Sequence, residues 1–72
     1  MINTVDARGL SCPQPVLMTM EEMKRLNKGE IVVLVDTNTS KENVSRAAIS
    51  QGWQVKDVQE ESEGYRIVIS RD

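Results

Sequence analysis

Cys12 is the one cysteine in the chain, and Pro13, Gln14 and Pro15 follow it directly. A thiol in this setting can do nucleophilic chemistry. Proline fits the first position of a helix, so Pro13 predicts a helix start just after the cysteine. Backbone N–H groups and a partial positive charge collect at that end of a helix, and both favour a thiolate. A thiol whose pKa falls this way becomes a nucleophile. Arg8, four positions upstream, can assist if its loop folds back towards the thiol. Asp6 can brace the same loop through backbone hydrogen bonds or touch the thiol's cargo.

The rest of the composition narrows what that thiol can be. Without a second cysteine there is no internal disulfide, and without histidine there is no Cys/His zinc site or Cys-His catalytic pair within the chain. The residues therefore imply neither metal nor cofactor. A net charge of −2 and a pI near 5.0 argue against nucleic acid as a partner, as does the lack of a basic run or an aromatic stacking platform. Nothing at the N-terminus reads as a signal peptide or a membrane span. A lone retained thiol suits a reducing, cytoplasmic setting.

The elements that must position Cys12 can be read from pattern and punctuation. Ile2 to Asp6 predicts a first strand, and residues 7–11 the loop leaving it. Pro13 to about Asn27 predicts a helix with Val16, Leu17, Met20, Met23 and Leu26 on one face. Lys24, Arg25 and Lys28 complement its negative end, and Gly29 supplies a stop. Cys12 is the preferred N-cap over Ser11. With the cap at Cys12, Pro13 and Pro15 fall where helix N–H groups have no partner in any case.

Ile31 to Val35 is an unbroken apolar run, which predicts a central strand with little water on either face. A domain this small has helices for one sheet face only. The other face is expected to be partly apolar and to meet a second domain or subunit. Thr39 and Glu42 form a capping-box pattern for a second helix running to about Gln51, which buries Val44, Ala47 and Ala48 and ends at Gly52. Trp53 to Val58 predicts a third strand, residues 60–64 an acidic exposed turn, and Tyr65 to Ser70 a last strand with Tyr65, Ile67 and Ile69 on one face. The expected fold is α/β (α+β): a βαβαββ two-layer sandwich with both helices on one face of a four-stranded mixed sheet. Right-handed crossovers make the first three strands parallel and the last antiparallel.

The residues alone leave Cys12 open between a reactive thiol and a small inert hydrophobe. The run Gly9-Leu10-Ser11-Cys12-Pro13-Gln14-Pro15-Val16-Leu17, preceded by Asp6, resembles the signature of the TusA/SirA/YedF family of small sulfur-carrier proteins. The resemblance covers nearly the whole chain and is closest to the YedF-like branch. It implies that Cys12 accepts sulfane sulfur as a persulfide and relays it between proteins. A donor such as a cysteine desulfurase and a downstream acceptor would be its partners. Gly9, Leu10, Pro13, Gln14 and Pro15 are the supporting motif. Ser11 and Gln14 replace charged residues common in the best-studied carriers, which leaves partner identity open. The branch also implies that residues 1–72 can be one domain of a longer two-domain protein. The rival reading is a non-catalytic interaction or regulatory module, with a link to selenium metabolism in some members.

Overall fold

The computed structural model describes residues 3–10, 14–62 and 64–72. Its elements run β1 (Asn3–Asp6), α1 (Gln14–Leu26), β2 (Gly29–Val35), α2 (Asn38–Ser50), β3 (Gln54–Glu61) and β4 (Gly64–Arg71). This is the expected βαβαββ order. The sheet order is β1-β2-β4-β3. β1 pairs parallel with β2, and β4 runs antiparallel to both β2 and β3. The first three strands therefore share one direction, as right-handed crossovers require.

One sheet face carries the core. Val5, Ile31, Val33, Val35, Ile67 and Ile69 are buried, and Met23, Val44, Ala48 and Trp53 close over them from the helical layer. The opposite face is mixed. Val32, Leu34 and Val68 are half-buried there, with exposed Thr4, Asp6, Asp57 and Gln59 around them. Alternation alone cannot put both Val55 and Val58 on the core side, three positions apart. A bulge between Val55 and Asp57 resets the register, so Val55 opposes Ile69 and Val58 opposes Ile67. Lys56, the extra residue, pairs with Glu30 of β2 at 3.1 Å.

Several local expectations need correction. Leu17 does not lie on the buried face of α1 but is 48% exposed, and the inward positions are Pro15, Thr19 and Met23. Thr19 tolerates full burial because its hydroxyl donates to the Pro15 carbonyl oxygen at 2.8 Å. The stop of α1 is Asn27, not Gly29. Asn27 takes a left-handed φ of 62° and donates its N–H to the Met23 carbonyl at 2.9 Å, a role asparagine fills next after glycine. Gly29 instead begins β2.

The N-cap of α2 is Thr37 rather than Thr39. Thr37 is extended and its hydroxyl accepts from the Ser40 N–H at 3.1 Å, which places Thr39 inside the first turn. Ala47 is half-buried. Gly52 does end the segment: its N–H reaches the Ile49 carbonyl at 3.1 Å, and the Trp53 N–H reaches Ala48 at 2.9 Å. Those two bonds make a Schellman motif, with Trp53 folded into the core behind it. Trp53 thus belongs to the helix stop, and β3 starts at Gln54 and continues through Glu61. The acidic residues Glu60 and Glu61 are ladder residues opposite Tyr65 and Gly64, not turn residues. Glu63 lies outside the described residues, as does Ile2.

Candidate functional site

The chain leaves β1 at the sheet's C-terminal end and approaches the Cys-Pro-Gln-Pro run through residues 7–10. Ala7 extends the parallel ladder by one residue: fully buried, it donates its N–H to the Leu34 carbonyl at 2.8 Å. The next three residues turn sharply. Leu10 donates to the Ala7 carbonyl at 3.3 Å, and Gly9 has a φ of +80°. That geometry matches a type II turn with Arg8 and Gly9 at its centre, where the second position requires a residue free of a Cβ penalty.

The other two N–H groups of the turn go to carboxylates. Asp6 Oδ1 accepts from the Arg8 backbone N–H at 3.2 Å. Asp36 Oδ2 accepts from the Gly9 N–H at 2.7 Å. All four backbone donors of residues 7–10 therefore have acceptors, two in the backbone and two in side chains. For a surface loop this is unusually complete fixation.

Asp6 also forks the Arg8 guanidinium, with Nε to Oδ1 at 3.0 Å and Nη2 to Oδ2 at 2.9 Å. The side-chain hydrogen bond from Arg8, reinforced by the Arg8 backbone N–H, holds the Asp6 carboxyl below the usual carboxylate range. These contacts brace the loop. Arg8 is engaged in the same clasp. Both side chains are about half exposed.

Of the motif itself, Gly9 and Leu10 lie in the turn, with Leu10 38% exposed. Gln14 is the first described residue of α1 and is exposed, whereas Pro15 is buried beneath it. Pro15 sits among the first four helical residues, where a missing N–H deletes no helical bond. Its burial makes it an anchor of the helix start. Cys12, Pro13 and the choice of cap between Ser11 and Cys12 lie outside the described residues. Among the described residues no group of Asp, Glu, Cys or His side chains is arranged to hold a metal ion, and no helix is long and apolar enough to cross a membrane.

Asp36 is the residue that sequence reasoning passed over. It stands directly after the apolar β2 run, where an aspartate reads as an ordinary strand end. The one usable signal was topological: with β1 and β2 parallel neighbours, the residue following β2 must emerge beside the loop following β1.

The chain matches the family model described as sulfurtransferase TusA over residues 3–71. It is 37% identical over 68 residues to a protein of Methanocaldococcus jannaschii named "putative sulfur carrier protein", covering 93% of this chain and 91% of that one. It is 35% identical to the "putative sulfur carrier protein YedF" of Escherichia coli K12, covering 93% and 88%. The crystal structure of a SirA-like protein from Desulfitobacterium hafniense superposes with a TM-score of 0.87 at 33% identity, covering 97% of this chain and 96% of that one.

Proposed function

This chain belongs to the sulfurtransferase TusA family, and we propose that it works as a sulfur carrier, with Cys12 as the carrying thiol. In this reading residues 1–72 form one carrier domain. Cys12 takes up sulfane sulfur as a persulfide from a donor such as a cysteine desulfurase and passes it to an acceptor protein. The observation that carries the proposal is the fully hydrogen-bonded turn at residues 7–10, which ends two positions before the single thiol. The names of the relatives from M. jannaschii and E. coli support the same role.

The chemistry is two successive exchanges. The Cys12 thiolate attacks the outer sulfur of the donor's persulfide. A new S–S bond forms on Cys12 as the donor's S–S bond breaks, and the electron pair leaves with the donor thiolate. The acceptor thiolate then attacks the outer sulfur on Cys12 and releases the Cys12 thiolate. The sulfur atom keeps its oxidation state throughout, so the cycle needs neither cofactor nor external oxidant. A thiol that must return to its reduced form after each transfer suits the cytoplasm. Exposed Leu10 and Leu17, on either side of the motif in sequence, offer apolar contact to the donor and acceptor.

Incubation with a cysteine desulfurase and cysteine tests the proposal. Intact-mass measurement is expected to show the gain of one sulfur atom, lost on reduction and absent in Cys12→Ser. No gain with several unrelated donors would remove the reading. The rival module, in which the Cys-Pro-Gln-Pro loop only docks, requires Cys12→Ser to retain both partner binding and cellular phenotype.

A further inference from the structure

We infer that Asp36 is a positioning residue for sulfur transfer, holding the turn that presents Cys12 through its hydrogen bond to the Gly9 N–H. The inference rests on the reading of Cys12 as the carrier thiol. In a type II turn the N–H of the second central residue points away from the turn and has no partner inside it. At Gly9 that N–H is taken by a carboxylate from a different strand, 27 positions along the chain and 2.7 Å away. Asp6 does the same for the Arg8 N–H, but from two residues away. The Asp6 bond stiffens the turn internally, whereas the Asp36 bond ties it to the end of the central strand β2.

Gly9 lies three positions before Cys12 in the chain, a reach of about 11 Å at most. Rotation of the turn about its base at Ala7 would swing everything beyond it. Ala7 is itself held to Leu34 of β2, so the Asp36 bond adds a second attachment to the same strand, and two attachments fix a direction where one leaves a hinge. Asp36 is held in turn from below. The backbone of Gly64 passes so near that a Cβ there would stand 2.8 Å from the Asp36 Cα.

The charge of Asp36 is not what the site needs. The Gly9 N–H is a neutral donor, and a neutral acceptor oxygen can satisfy it as well as a carboxylate can. The acceptor oxygen is the useful part. Asparagine keeps that oxygen and drops the charge, and alanine loses both.

The experiment compares Asp36→Ala and Asp36→Asn with the full wild-type chain in three measurements. These are Gly9 amide exchange by NMR, the alkylation rate of Cys12 with iodoacetamide, and the rate of sulfur loading from a cysteine desulfurase. Asp36→Ala is expected to speed Gly9 exchange at least tenfold and slow loading about fivefold, with its melting temperature little changed. It is also expected to alter the alkylation rate at least threefold. Asp36→Asn is expected to return all three to within about twofold of wild type. Unchanged Gly9 exchange and loading in Asp36→Ala would overturn the inference, as would an Asn variant as impaired as the Ala one. If wild type never gains sulfur, the carrier reading falls. The positioning role then stands or falls on amide exchange and alkylation alone.

Discussion

Gly64 and Asp36 meet backbone to backbone where β2 ends and β4 begins. A Cβ on Gly64 would lie 2.8 Å from the Asp36 Cα and would overlap the Val35 carbonyl oxygen. Both obstacles are main-chain atoms, one in the last residue of β2 and one directly after it, and β2 pairs along its whole length with β4, so neither can swing aside. Gly64→Ala is accordingly expected to cost about 1–3 kcal/mol, as overpacking against fixed neighbours does. It should also displace Asp36 from the Gly9 turn. Denaturant unfolding measures the first effect and Gly9 amide exchange the second. A loss of stability under about 0.5 kcal/mol would contradict the close approach.

The Asp6–Arg8 clasp sets a pH dependence whose sign follows from the depressed Asp6 carboxyl. The native state holds this group ionised to lower pH than the unfolded chain does. The contribution of the clasp is therefore complete above the ordinary carboxylate range, and it fades as pH falls from that range through the lowered native value. Carboxyl NMR should place the Asp6 midpoint below the ordinary aspartate range. Arg8→Ala should raise it, though not fully, since the backbone N–H of residue 8 still donates to the carboxylate. An Asp6 midpoint at or above the ordinary aspartate range would contradict the fork.

The elements around the site were legible because each has a local signature. An apolar run gave β2, a 3.6-residue pattern after paired prolines gave α1, and strict alternation gave β4. Contacts without a local signature were not legible. The Asp36–Gly9 bond joins residues 27 apart, and neither end differs in type from any other strand end or turn glycine. Thr19 stands outside the apolar pattern that marked the face of α1, and it can face inward because its hydroxyl is satisfied within its own helix, by Pro15. The bulge at Lys56 broke the alternation that would have carried β3 past Val58. At the second helix, Thr37 and Thr39 both satisfy the preference for a hydroxyl cap. Glu42 tipped the reading towards Thr39, although the extended backbone lies at Thr37.

That last correction is directly measurable. Thr37→Ala removes the acceptor for the Ser40 N–H and should cost about 1 kcal/mol, the usual cost of losing a hydroxyl cap. Thr39→Ala lies on an exposed position inside the first turn and should change stability by less than about 0.5 kcal/mol. Equal effects, or a larger one at Thr39, would move the cap back to the box suggested by Glu42.

Gly9 and Gly64 both take a positive φ, 80° and 146°, but only Gly64 is also short of space, and a pair of substitutions at Gly9 isolates the backbone requirement. Among the described residues no atom lies within 4 Å of where a Cβ on Gly9 would point, so space is not the constraint there. Its φ of +80° is. L-alanine at position 9 should therefore cost about 1–2 kcal/mol, the penalty for a left-handed backbone. D-alanine, introduced by chemical ligation, favours positive φ. It should be neutral or stabilising, by narrowing the unfolded ensemble by about 0.4–1 kcal/mol. With the turn intact, the D-alanine protein should load sulfur at the wild-type rate, whereas the L-alanine protein should load more slowly. If both enantiomers destabilise equally, the turn is limited by contacts rather than by its backbone, and the type II assignment fails.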